Sequence, residues 1–336
     1  MHRKPIVLLI ILVLVTLSLN SNAESVQVDQ ILNCENATLH ISAEVDLPLA
    51  EKLPVLVAEE NRFDVDQILH LFFSDTTEPV TVQANEYDET YITCADGSEF
   101  DFSGGVFCYR GVHYLHQYRS TDFSVKTPEK ELNGFPVEDA QAIAEEWMRT
   151  LGVQDLELVV SFPLSLESLR EKRLEGWPEP TNQNEGYFFQ YDISYHGTLC
   201  IPRQRFLKYH DDFVRGAGLE IFISRNGMQY FSTVAGDTTY RVIREQERDE
   251  RIATLDEAIE VLKERYNQLI LPDPIEINRI RFYYILEPII GTGVQTYELW
   301  PAWVFYSLPY SEDIGAYEDD ADPLCIVNAI TREIME

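Results

Sequence analysis

The hydrophobic pattern of this chain switches repeatedly between two periods. In ATLHISAEVDL the apolar residues Leu39, Ile41, Ala43 and Val45 occupy every second position, which predicts a strand with one buried face. In FDVDQILHLFF the period lengthens, and Val65, Ile68, Leu69 and Phe72 share one helical face behind an Asp64 N-cap, with Gln67 three residues on. ETYITC and SEFDF then alternate around Ala95-Asp96-Gly97, a turn signal in which glycine supplies a positive φ. Ser103-Gly104-Gly105 predicts a further turn into VFCYRGVHYLHQY, read as a third strand, and the polar KTPEKELNG closes this first module, residues 24–133.

The clearest helix follows. Pro136 suits a first turn, Ala140, Ile143, Ala144, Trp147, Met148 and Leu151 recur at helical spacing, and Gly152 can take the left-handed conformation that stops a helix. Strands are predicted at LELVVSF, GYFFQYDISYHG and GLEIFISRNGMQYFSTV, the last folded at an Asn226-Gly227 hairpin turn. The same order then recurs. Thr254 and Glu257 form a capping box, and Leu255, Ala258, Ile259, Leu262, Tyr266 and Leu269 make a buried stripe ended by Pro272. IEINRIRFYYIL, YELWPAWVFYSL and LCIVNAI complete the unit. Residues 134–236 and 237–336 therefore read as two copies of one unit, a helix followed by antiparallel strands. Burying a helix stripe on a sheet face gives an α+β fold of tandem modules, each with one amphipathic helix packed on an antiparallel sheet.

YELWPAWVFYSL poses a sharper question. Alternation puts Trp300, Ala302, Val304 and Tyr306 on one face and Leu299, Trp303 and Phe305 on the other, so both faces are apolar and a central strand is predicted. Pro301 cannot donate a ladder hydrogen bond, which argues for an edge or bulge at that point. Two readings of these rings stand: core packing, or a platform for a sugar or peptide.

Composition narrows the class. Of 336 residues, 45% are hydrophobic and 12% aromatic, which excludes disorder. The net charge of −31 repels nucleic acid and anionic membrane surfaces and attracts basic partners. MHRK, the apolar run from Ile6 to Leu19 and the small residues Ser21-Asn22-Ala23 form a secretory signal pattern, with cleavage expected after Ala23. As a helix that run covers about 20 Å, short of a hydrocarbon core, so a membrane association is expected only if the signal stays uncleaved. It contains no cysteine for lipid attachment. The five cysteines include no C-x-x-C, and Cys94 with Cys108 is the disulfide to expect first, two free thiols being the alternative.

Several of these stretches resemble a known group. The helix, strand, aromatic strand and hairpin of the 134–236 unit, with Ile221, Ile223, Gly227 and Phe231 in the hairpin, resemble PepSY-type domains. PAWVF at 301–305 and IVNAITREI at 326–334 are similar to extracytoplasmic regulators of the WalK-type sensor kinase in Gram-positive bacteria, and to uncharacterised secreted proteins and lipoproteins of clostridia. The likeness covers residues 134–336. It implies a non-enzymatic role in the cell envelope, in which such domains bind or inhibit peptidases or modulate a sensor. It transfers no functional residue. Arg332 stands where such proteins usually carry glycine after the threonine.

The chemistry the sequence offers is sparse. Glu145-Glu146, Asp211-Asp212 and Asp319-Asp320 are adjacent acids whose side chains diverge, so they make no acid/base pair. His113 and His116 fall on opposite faces of a strand. The acidic loop 311–323 supplies oxygen ligands for calcium without the alternating D-x-D-x-D-G frame. No G-x-S-x-G, P-loop or dinucleotide fingerprint occurs. The expectation is therefore a secreted, non-catalytic protein with no cofactor and no metal site, binding an envelope or extracellular protein or peptide. The alternatives are a carbohydrate-binding module stacking sugars on Trp177, Trp300 or Trp303, and an enzyme of unrecognised type.

Overall fold

A computed structural model describes residues 25–335 except 74–78, 85–88, 104–105, 116–130, 172, 174, 202–206, 210–211, 215–216, 234–238, 272, 290–295, 309, 312–315 and 318–322. The signal pattern, His116, Pro272 and the acidic residues of the loop 311–323 lie outside these residues. The fold is α+β, with two nine-stranded sheets. In one, the strands Leu156–Leu164, Gly186–Tyr195, Gly218–Ser224 and Gly227–Ser232 form an antiparallel meander. In the other, Arg279–Pro288, Thr296–Tyr306, Cys325–Asn328 and Ile334–Met335 form a meander of the same order. A helix precedes each meander in the chain.

The helices follow their local signals. α1 (Val65–Phe73) is capped by the Asp64 carboxylate, which accepts from the Gln67 amide at 2.9 Å. α2 (Val137–Thr150) starts after Pro136, which occupies the N-cap itself, and buries Ala140, Ala144 and Met148. It ends in a Schellman motif: Val153 N donates to Met148 O at 2.9 Å and Gly152 N to Arg149 O at 3.1 Å, with Gly152 at φ +72°. After α3 (Leu166–Glu171), α4 (Leu255–Asn267) carries the full capping box of Thr254 and Glu257. Of its stripe Ala258, Ile259, Leu262 and Tyr266 are buried and Leu255 is half-buried, whereas Leu269 lies past the last turn and is 39% exposed.

Glu257 has a second partner. Arg251 donates to both of its carboxylate oxygens, at 2.6 and 2.7 Å. This fork and the Thr254 amide hold the Glu257 pKa down to about 2 from its usual 4.5. The folded chain thus binds this proton less readily than the unfolded chain, so the contribution of Glu257 is complete above about pH 4.5 and lost as pH falls toward 2. Thermal melts followed by circular dichroism between pH 5 and 2 are expected to show a steeper fall in midpoint for the wild type than for Glu257→Gln. Parallel curves would remove this capping account.

The register explains Pro301. Thr296–Tyr306 pairs along its whole length with Arg279–Pro288, so it is central. On its other side it pairs with Val55–Glu60 over residues 296–299 and with Cys325–Asn328 over 302–305. Pro301 falls between these two partners. Its carbonyl faces that side, accepting from Ala329 N at 2.8 Å, so its missing N–H also points into the gap and leaves the ladder with Arg279–Pro288 intact.

Residues 24–133, read above as one module, are divided between the sheets. Ser25–Asn33, Thr38–Asp46 and Val55–Glu60 enlarge the C-terminal sheet, with Leu39, Ile41, Ala43 and Val45 buried in its core. Pro79–Ala84, Glu89–Cys94, Glu99–Ser103 and Val106–Arg110 extend the other sheet beyond Gly227–Ser232. α1 and α2 cover one face of that sheet together, with Phe72 meeting Phe100 and Trp147 at 5.0 and 4.7 Å between ring centroids. The strand expected to run on from Val106 stops at Arg110, and residues 111–115 turn away, so the alternation expected for His113 does not apply. The hairpin at Asn226-Gly227 is shifted by one residue. Ser224 pairs with Gly227, leaving Arg225-Asn226 as the loop; Gly227 opens the returning strand at φ +89°, and a bulge follows at Gln229, where the register shifts between Phe222 and Ile223.

The strand Gly186–Tyr195 joins the two halves. Tyr187, Phe189 and Tyr191 lie in the core under α1 and α2, whereas Ile193 and Tyr195 belong to the core of the C-terminal sheet. The chain continues through Cys200, fully buried, to Ile201, whose amide donates to Tyr284 O at 2.9 Å. Among the described residues this backbone bridge, together with Ile193 and Tyr195, ties the strand to the core of the C-terminal sheet.

Candidate functional site

The expected disulfide does not form, and all five cysteines are free thiols. Cys94 ends one strand and Cys108 lies on the next strand but one, with Glu99–Ser103 between them. Two strand spacings are about 9.6 Å, beyond the reach of a disulfide. The two thiols also point to opposite faces: Cys94 packs in the core that holds Phe107, and Cys108 follows Phe107 in the strand. Burial raises the pKa of both, so neither is a poised nucleophile.

The three tryptophans proposed as stacking surfaces have different fates. Trp303 is 1% exposed, meets Phe282 edge-on at 4.9 Å and donates its indole N–H to Ala253 O at 2.9 Å. It is a core residue and offers no platform. Trp177 is half-buried against a small cluster of Leu164, Leu169, Phe188 and Phe222 on the second face of its sheet, where α3 and its flanking loop pack. Trp300 is also half-buried, and it lines an open cleft.

The cleft has a volume of about 400 Å³ and is lined by Glu287, Trp300, Asn328, Thr331, Glu333, Ile334 and Met335. Its position follows from the pairing just described. Residues directly opposite in an antiparallel pair share a face, and Ile285 stands opposite Trp300, Glu287 opposite Glu298, and Asn328 opposite Ala302. Trp300, Ala302 and Glu298 are two residues apart, so Glu287, Trp300 and Asn328 project from one side of the sheet. Beside Trp300 the neighbouring strand changes from Val55–Glu60 to Cys325–Asn328, and the sheet opens there.

The remaining wall is a tight turn. The Asn328 side-chain oxygen accepts from Ile330 N at 2.9 Å and Thr331 N at 3.0 Å, and Glu333 N donates to the Thr331 hydroxyl at 3.3 Å. Arg332 sits at φ +60°, the left-handed region, which accounts for the glycine usual at this position in the group resembled above. Its guanidinium turns toward Glu257, 3.9 Å from Oε1, which fastens the turn to the start of α4.

Charge at the cleft is mainly negative. Glu287 comes from the strand Arg279–Pro288 and Glu333 from the turn before Ile334–Met335, and Glu298 beside them accepts from Gln246 at 3.4 Å. Arg248 lies over the indole of Trp300, 5.7 Å from the ring centroid, a cation–π contact. The indole N–H of Trp300 is buried without a hydrogen-bond partner, at a cost of about 1–3 kcal/mol. Among the described residues, no group of three or more His, Cys, Asp or Glu converges to hold a metal ion. Among the same residues no helix is long and apolar enough to cross a membrane.

Sequence reasoning found the indole but missed its companions. Glu287 reaches the cleft through the register of its strand with Thr296–Tyr306, and Glu333 through the turn after Cys325–Asn328, neither of which local periodicity records. Asn328-x-x-Thr331 was the one local signal available, since an Asn side chain commonly bonds the amides that follow it in a turn.

No protein-family model and no curated protein matches this chain. Among solved structures, an uncharacterised protein from Eubacterium rectale ATCC 33656 superposes with a TM-score of 0.59 at 14% identity, covering 92% of this chain and 93% of that one. That likeness shows a shared fold over nearly the whole length. The Bacillus megaterium YpeB C-terminal domain gives a TM-score of 0.32 at 11% identity, covering 82% of this chain and 97% of that domain, a superposition too loose to carry an argument.

Proposed function

We propose that this is an exported, non-catalytic protein of the cell envelope that binds a protein or peptide partner at the Trp300 cleft. The observation that supports this reading most is the contrast along one strand. From Pro301 to Tyr306 every residue is buried, whereas Trp300, one residue earlier, presents half-buried aromatic surface in an open, acid-flanked cleft. Aromatic surface of this kind anchors partners efficiently because a large area is buried with little side-chain entropy lost. The signal pattern expected from the sequence and the resemblance to PepSY-type domains favour a partner outside the cytoplasm.

The test is affinity capture from envelope extracts with the mature chain and its Trp300→Ala variant, both first shown to be folded. A partner retained by the wild type and reduced about tenfold or more by the variant is expected. Equal recovery by both, or no recovery under several salt conditions, would overturn the reading. A Trp300-dependent fluorescence change on adding cell-wall glycans would instead favour carbohydrate binding.

A further inference from the structure

We infer that the cleft is selective for a cationic side chain, a lysine or arginine carried on a basic segment of the partner polypeptide. This inference rests on the reading of the cleft as a partner site and names the chemistry that the site selects.

Four observations converge on it. The cleft carries carboxylates on two of its walls, Glu287 from the strand before Trp300 and Glu333 from the terminal turn. Between them lie apolar surfaces suited to a long aliphatic stem: the Trp300 indole, Ile334 and Met335. The indole already attracts a cation within this chain, since Arg248 lies over it at 5.7 Å. The arginine nearest the cleft in sequence, Arg332, is engaged by Glu257 at 3.9 Å on the α4 side of the turn. The protein as a whole adds to the selection, because a chain with 57 acidic and 26 basic residues draws basic segments toward its surface. A volume of about 400 Å³ is at the small end of ligand sites and suits one or two side chains.

A neutral or acidic occupant fits less well. A carboxylate would face Glu287 and Glu333 with like charge, and a wholly apolar side chain would draw nothing from the negative field at the cleft.

The experiment is calorimetric titration of the mature chain with three end-blocked four-residue peptides: tetra-arginine, tetra-citrulline and tetra-glutamate. Citrulline keeps the shape of arginine and removes its charge. Tetra-arginine is expected to bind, with tetra-citrulline weaker by about tenfold or more and tetra-glutamate showing no heat. The double variant Glu287→Gln, Glu333→Gln is expected to weaken tetra-arginine by about tenfold, and Trp300→Ala by a similar factor. A charge-matched control on the exposed side of α2, Glu138→Gln with Glu145→Gln, separates cleft recognition from general attraction to an acidic surface, and is expected to leave the affinity unchanged. Equal binding of tetra-arginine and tetra-citrulline, or equal weakening by the α2 control, would overturn the inference. If no peptide binds while an envelope partner is still captured in a Trp300-dependent way, the cation assignment fails and the partner site stands. If neither is seen, the site itself fails.

Discussion

Trp303→Ala is expected to lower the free energy of unfolding by about 3–5 kcal/mol in urea denaturation. The side chain lies in the middle of the central strand of its sheet, where its neighbours are Phe282 on one side and Val327 on the other. Truncation removes the largest fully buried side chain among the described residues and leaves a cavity that flanking strands cannot close without breaking their register. It also orphans the Ala253 carbonyl, which the indole N–H now satisfies at 2.9 Å. Ala253 is itself held to Ala329 by a 2.6 Å backbone bond, so the start of α4 and the cleft turn loosen together. Trp303→Phe restores much of the volume without the hydrogen bond and is expected to fall between the two. Trp300→Ala should cost about 1 kcal/mol or less, because the ring is half-exposed and its removal also removes an unpaired buried donor. Equal losses at the two positions would contradict the assignment of one indole to the core and the other to the cleft.

Gly186→Val is expected to be the second most damaging substitution, at about 3 kcal/mol or more by the same measurement. A Cβ at Gly186 would lie 2.3 Å from the Ile223 carbonyl oxygen and 2.6 Å from the Phe222 ring, both on the neighbouring strand. One of these is backbone and cannot yield without pulling apart the pair that joins Gly186–Tyr195 to Gly218–Ser224. The constraint here is space. Gly152 is the opposite case. A Cβ there would meet no atom within 4 Å, but φ is +72°, so Gly152→Ala should cost only the roughly 1–2 kcal/mol of a left-handed alanine. A small loss at Gly186 would mean that the two strands pair in a different register.

Local rules read this protein well wherever the interacting groups lie within about one turn of each other. The caps at Asp64 and Thr254, the stop at Gly152 and the buried faces of α1, α2 and α4 all follow from contacts three to five residues apart. The alternation of Leu39 to Val45 likewise reports the buried side of a strand, because period two is a property of the extended backbone itself. The same rules failed at Arg225-Asn226, where a Gly at either of two turn positions gives the same dipeptide signal but a register shifted by one residue.

The candidate site was legible only in part. Trp300 and Trp303 differ by three positions in one apolar strand, and nothing local tells which of them is covered. That depends on where the adjoining strand changes from Val55–Glu60 to Cys325–Asn328, a matter of pairing across more than 200 residues of sequence. Cys94 and Cys108 show the same limit, since proximity in sequence put them together and one intervening strand keeps them apart.

By itself, then, the sequence determined α1, α2 and α4, the capped starts of α1 and α4, the α+β class and the strong negative charge, because each is set by short-range sterics, capping or composition, whereas α3 formed in a stretch that reads as a polar loop. The tertiary structure alone decided that the first hundred residues serve both sheets, which indole is spent in the core, and which carboxylates meet the other one. The physical reason is that strand partners are chosen by the apolar area their pairing buries together, and that area exists only once distant segments have met.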